Sequence, residues 1–110
     1  MKRSVLPMTS AQRAIYEQLL SVARSIGPFR EDPKTTSIHL TRTSAFAGVA
    51  TRKDALLVTI KAAADIRSQR IVKHQHASAK RWYLDVRLER PEDVDCELTK
   101  WLAGAMAIAS

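Results

Sequence analysis

Cross-linking chemistry is nearly absent from this chain, which has one cysteine, Cys96, among 110 residues. An internal disulfide is therefore impossible and a cysteine-rich zinc site is excluded, so the chain suits a reducing compartment. Glycine is scarce too, at three residues, too few for a glycine-rich phosphate loop. No serine or threonine sits in a nucleophile-elbow pattern. No apolar run approaches the roughly 18–20 residues of a membrane span, and Met1-Lys2-Arg3 leads into no signal-peptide core. A cytoplasmic protein without a membrane partner is the expectation. Acidic residues are outnumbered, 11 against 18 Lys+Arg, for a net charge of +7. The excess is uneven: residues 1–90 carry 17 cations against 7 carboxylates, while residues 91–110 carry 1 against 4. A basic field of this kind steers nucleic acid or acidic partners toward the surface.

What is present is a folded-domain pattern. Hydrophobic residues make up 45% and charged residues 26%, a balance that supports a core and excludes a disordered chain. Arg81–Leu88 alternates polar and apolar residues without a slip. That is a strand with Trp82, Leu84, Val86 and Leu88 on its dry side and Arg81, Tyr83, Asp85 and Arg87 on its wet side.

Residues 1–8 read as a tail and residues 9–110 as a single domain. Thr9-Ser10-Ala11-Gln12 resembles a capping box, followed by Ile15, Leu19, Val22 and Ile26 at helical spacing. Gly27-Pro28 should close that helix through a left-handed glycine cap. Arg30-Glu31-Asp32-Pro33 reads as a polar loop. Strands are expected over Thr35–Thr41, Ala45–Ala50 and Ala55–Lys61, with Gly48 marking a bulge or a close approach. Within Ala62–Ser78 the pattern favours a connecting turn and then an edge strand, because Lys73 and the histidines suit an edge kept from aggregating. Arg90-Pro91-Glu92-Asp93 should open a last helix whose stripe is Val94, Leu98, Trp101, Leu102, Ala105 and Ile108. The economical architecture is an α+β two-layer sandwich: an N-terminal helix, an antiparallel meander of four to five strands and a C-terminal helix, with one sheet face left open.

The candidate chemistry is thin at any single point. His74 and His76, two apart on a strand, share a face, and His39 could supply a third metal ligand. No carboxylate or cysteine falls at ligand spacing nearby, and Lys73 adds repulsion, so structural or solvated histidines are the preferred reading. Cys96 lies off the apolar stripe among Asp93, Asp95 and Glu97 and reads as a bystander thiol. The acidic cluster at 92–97 is explained by helix capping.

The remaining candidate is a surface. The wet sides of the strands present Thr35, Ser37, His39, Thr59, Lys61, Tyr83 and Arg87. From this face and its margins, Lys34, Arg42, Arg70, Lys73, Tyr83 and Arg87 are the expected contacts to an anionic partner, whether a protein, a nucleic acid or a phosphorylated ligand. A non-enzymatic binding module without a cofactor is preferred. A small histidine-dependent metal enzyme and a homo-oligomer subunit, such as a homodimer, are the alternatives.

Several landmarks recur in a fixed order: Asp32-Pro33-Lys34-Thr35, Phe46-Ala47-Gly48-Val49, Arg70-Ile71, Pro91-Glu92-Asp93-Val94-Asp95 and Lys100-Trp101-Leu102. From about Ile15 to Ala105 the chain resembles the bacterial domain-of-unknown-function family 5655. The resemblance implies a small cytoplasmic domain with no established activity. Members often carry histidines where this chain has Trp82-Tyr83, which weakens any histidine chemistry. They also tend to place Ser where Arg90 stands, so the start of the last helix should be less well capped here.

Overall fold

The first helix starts as the sequence dictates. In the computed structural model, which describes residues 7–109, α1 runs over Ser10–Ile26. Most of the expected tail, residues 1–6, lies outside the described residues. The capping box is complete: Thr9 N donates to Gln12 Oε1 at 2.9 Å, and Gln12 N donates to Thr9 Oγ1 at 3.1 Å. Gln12 also sends Nε2 to the carbonyls of Arg52 and Ala55, at 2.7 and 3.1 Å, which fixes the helix start against a hairpin turn. The expected left-handed cap is corrected: Gly27 is extended at φ 175°, and its amide still reaches Ala23 O at 3.2 Å. Pro28, unable to donate to the ladder, ends the helix.

The sheet has six antiparallel strands: β1 Arg30–Pro33, β2 Ile38–Thr41, β3 Ala45–Arg52, β4 Ala55–Ala62, β5 Ile71–Ser78 and β6 Arg81–Leu88. Their order is β1-β2-β3-β4-β6-β5. The chain meanders as far as β4, crosses to the far edge as β5, and returns between them as β6. β1 is the strand that charge and proline conceal, since its polar residues belong to an edge. Pro33 falls at its end, where a missing amide costs least. Glu31 is held from the helix layer by Tyr16 Oη at 2.6 Å and Arg24 at 3.2 Å.

The bulge sits two residues before Gly48. Leu40 pairs with Ala47 and Thr41 with Ala45, so Phe46 is the extra residue. Its ring is only 1% exposed and meets Phe29 edge-on at 5.8 Å. A bulge re-aims one side chain, and here it adds an aromatic to the core. Gly48 marks neither the bulge nor a close approach: a Cβ there would stand 3.6 Å from the His39 ring, an ordinary contact distance.

Both helices bury their stripes on the same sheet face. Leu19, Leu20, Ile38, Val49, Leu56, Val58, Ile60, Leu84, Val86, Leu88, Leu98 and Leu102 belong to one core cluster. The last helix begins later than Pro91. Pro91–Asp93 is a 3-10 turn, and α2 runs over Cys96–Ile108 with Asp95 as its cap, accepting from Leu98 N at 3.1 Å. The expectation of a poorly capped start at Arg90 is therefore corrected. Asp93 Oδ2 takes the amides of Glu89 and Arg90 at 2.8 and 3.1 Å, tightening the chain into the short turn first.

Candidate functional site

Strand register decides which side chains share the uncovered face. His39 stands opposite Gly48, Gly48 opposite Thr59, Thr59 opposite Asp85 and Asp85 opposite Lys73, giving one row across five strands. In the next row Lys61 faces Tyr83 and Tyr83 faces Gln75. Thr59 Oγ1 donates to Asp85 Oδ1 at 2.7 Å, which occupies that carboxylate.

Between the rows lies a recess of about 110 Å³, lined by His39, Thr59, Lys61 and Tyr83 beside Ala45 and Ala47. Lys61 is the unusual member. It is only 8% exposed, and its ammonium donates to Ser44 Oγ at 3.1 Å. Among the described residues no carboxylate lies within ion-pairing distance of it. An ammonium has three donors, and among the described residues a neutral hydroxyl is its only partner.

The residues expected to bind are scattered. Tyr83 lines the recess, and Lys73 and Arg87 share its face. Arg87 is engaged by Glu89 at 2.9 Å and by Lys53 O at 3.1 Å. Lys34 sits in the β1–β2 turn, paired with Asp32 at 3.0 Å. Arg42 follows β2, its guanidinium 3.6 Å from where a Cβ on Gly27 would stand, so it belongs to the end of α1.

Arg70 is on the helix side and fully engaged. It donates to both oxygens of Asp95 (2.8 and 3.0 Å), to Glu97 (3.1 Å) and to Asp93 O (2.6 Å), and it lies over the Trp101 ring at 5.7 Å. Partial burial works against its charge, but the bonds to Asp95 and Glu97 outweigh that and hold its pKa above the ordinary value. The structure thus brings Lys73, Tyr83 and Arg87 to one face and leaves Lys34, Arg42 and Arg70 elsewhere. Lys61, His39 and Thr59 take the central place. Their wet-side position is readable from alternation, but the burial of Lys61 has no local sequence signal.

The metal alternative is overturned. His39 is on the open face, whereas His74 and His76 pair with Leu84 and Trp82 and so share their side of the sheet. Their strands are four positions apart in the sheet, roughly 19 Å at the usual strand spacing. His74 Nδ1 meets Asp65 Oδ1 at 2.6 Å, and His76 stacks on Trp82 at 4.2 Å. No group of three or more metal-ligating side chains forms among the described residues. Cys96 is exposed at the start of α2.

Fold and site define the class: an open-faced α+β sandwich with a small, cation-bearing recess on its uncovered sheet. The chain belongs to the family described as Domain of unknown function (DUF5655), whose sequence profile matches residues 7–109. No curated protein and no solved structure matches it. No helix among the described residues is long and apolar enough to cross a membrane.

Proposed function

We propose that the chain is a non-enzymatic binding module whose uncovered sheet face holds an anionic group presented by a partner. One observation carries this reading: among the described residues the buried Lys61 ammonium has a neutral hydroxyl for a partner and no counter-charge. Removing an ammonium from water costs several kcal/mol in effective terms unless an opposite charge compensates. A carboxylate or phosphate seated among Lys61, Tyr83, Thr59 and His39 supplies that charge and accepts from the Tyr83 hydroxyl.

The recess of about 110 Å³ takes such a group but not a nucleobase with its sugar. Of the rings lining it Phe46 is buried in the core, which leaves Tyr83 and the His39 imidazole as the surfaces that could stack a base. An acidic protein or a phosphorylated ligand is therefore favoured over nucleic acid. The surrounding excess of positive charge would speed the encounter.

The test is a titration of the folded chain with acetate and with inorganic phosphate, followed by amide shifts of Thr59 and Tyr83. Labelled DNA and RNA are run in parallel by anisotropy across a salt series. At least one small anion should saturate those shifts, and Lys61→Met, which keeps the stem, should remove the effect. Binding unchanged in Lys61→Met would sink the reading.

A further inference from the structure

A second concavity, which shares only Lys61 with the open-face recess, lies between α2 and the end of β4 with the segment that follows it. It has a volume of about 310 Å³. Its lining combines large apolar side chains, Ile66, Trp101 and Ile108, with small residues such as Ala62 and Gly104. Among the described residues the charged ones lining it are Lys61 and Lys100, both cationic. The ammonium of Lys61 is turned to Ser44 and belongs to the open-face recess, whereas Lys100 is exposed with no partner among the described residues. A mostly apolar cleft at the small end of the usual ligand-site range, with one free polar group, is the ordinary form of a small-molecule site.

Gly104 supplies a separate argument. It lies inside α2, where glycine destabilises a helix by about 1 kcal/mol relative to alanine. No glycine among the described residues has a positive φ, so the backbone does not require one. A Cβ at 104 would meet nothing within 4 Å, so packing does not require one either. What the missing side chain does leave is an open groove.

We infer that this groove binds a small amphipathic acid, its apolar body against Trp101, Ile66 and Ile108 and its carboxylate on Lys100. Charge complementarity selects the occupant: apolar walls with cations alone favour one apolar chain or ring bearing one negative group.

The test follows the Gly104 amide and the Trp101 indole in ¹H–¹⁵N spectra during titration with decanoate kept below its micellar concentration. Decanol serves as the uncharged comparator. Saturable shifts are expected with decanoate, with decanol at least tenfold weaker. Lys100→Met should weaken decanoate about tenfold and leave decanol unchanged. Gly104→Phe should fill the groove and abolish the decanoate shifts while a thermal melt shows the chain folded. The inference is overturned by absent shifts, by equal binding of decanol, or by undiminished binding in Gly104→Phe. It is also overturned if the same signals move with protein concentration alone, which would assign the groove to a second copy. The open-face reading is scored separately at Thr59 and Tyr83.

Discussion

Replacing Arg70 with alanine removes a guanidinium that ties the segment before β5 to the start of α2. The ion pairs are partly solvated, with side-chain exposures of 26% for Arg70, 48% for Asp95 and 51% for Glu97. Each such pair contributes about 0.2–1 kcal/mol. The 2.6 Å bond to Asp93 O matters more, because it leaves a part-buried carbonyl without that donor when lost, at a cost of about 1–3 kcal/mol. Contact with the Trp101 ring adds about 0.5–1 kcal/mol. These effects share one side chain and do not simply add, so a loss of about 2–3 kcal/mol is expected. For a domain of this size that lowers Tm by roughly 8–20 °C. Urea melts should show an unchanged slope, and Arg70→Lys should recover only part of the loss because it lacks the planar fork. Acid provides a second readout. Asp95 is held below its ordinary pKa by the Leu98 amide first and by Arg70 next. A depressed folded pKa means that the carboxylate's contribution is complete above the unfolded value and is lost as pH falls through the folded one. The gap between wild type and variant should therefore hold from neutral pH to about 4 and narrow below. A loss under about 0.5 kcal/mol, or a gap that widens in acid, would refute the argument.

Gln12→Ala should cost about 1–3 kcal/mol, since it breaks the capping box and strands the Arg52 and Ala55 carbonyls; chemical denaturation reads it directly. Leu84→Ala, at the centre of β6 and buried in the core cluster, should cost about 2–5 kcal/mol in the same assay. The Asp65 carboxyl is held below its ordinary pKa chiefly by its bond to His74. Its ¹³C titration midpoint should lie below that of a free aspartate and return upward in His74→Gln. Tyr16 is pushed far above its ordinary pKa by burial first and by its bond to Glu31 next. That contribution to stability is complete below the unfolded value near 10 and is lost as pH rises toward the folded one. Tyr16→Phe should accordingly soften the alkaline loss of stability in pH-dependent melts.

The fold was legible wherever burial imposes a period. Arg81–Leu88, Ala55–Ala62 and the stripe of α1 each have one wet and one dry side, and their boundaries follow the alternation closely. β1 was not legible, because an edge strand of three charged residues and a proline carries no burial pattern, its exposed positions running in succession. The start of α2 misled for a related reason. Proline followed by two acids is good chemistry for a helix opening, but Asp93 spends its carboxylate on the preceding amides and the chain restarts at Asp95.

The site was less legible than the fold because charge can be read from sequence but its neutralisation cannot. Arg70 and Lys61 both lie in a cationic chain, and nothing in their flanks distinguishes them. The 3-10 turn and the cap of α2 deliver Asp95, Glu97 and a carbonyl to Arg70 from more than twenty residues away. Among the described residues none delivers an acid to Lys61, although Asp85 shares its face, because Thr59 holds that carboxylate in the adjacent row. A cation whose charge is met inside the fold contributes stability, and one whose charge is not met retains affinity for an anion. Topology alone separates these outcomes, which is why the better binding candidate is the lysine that sequence alternation placed on the open face without singling out.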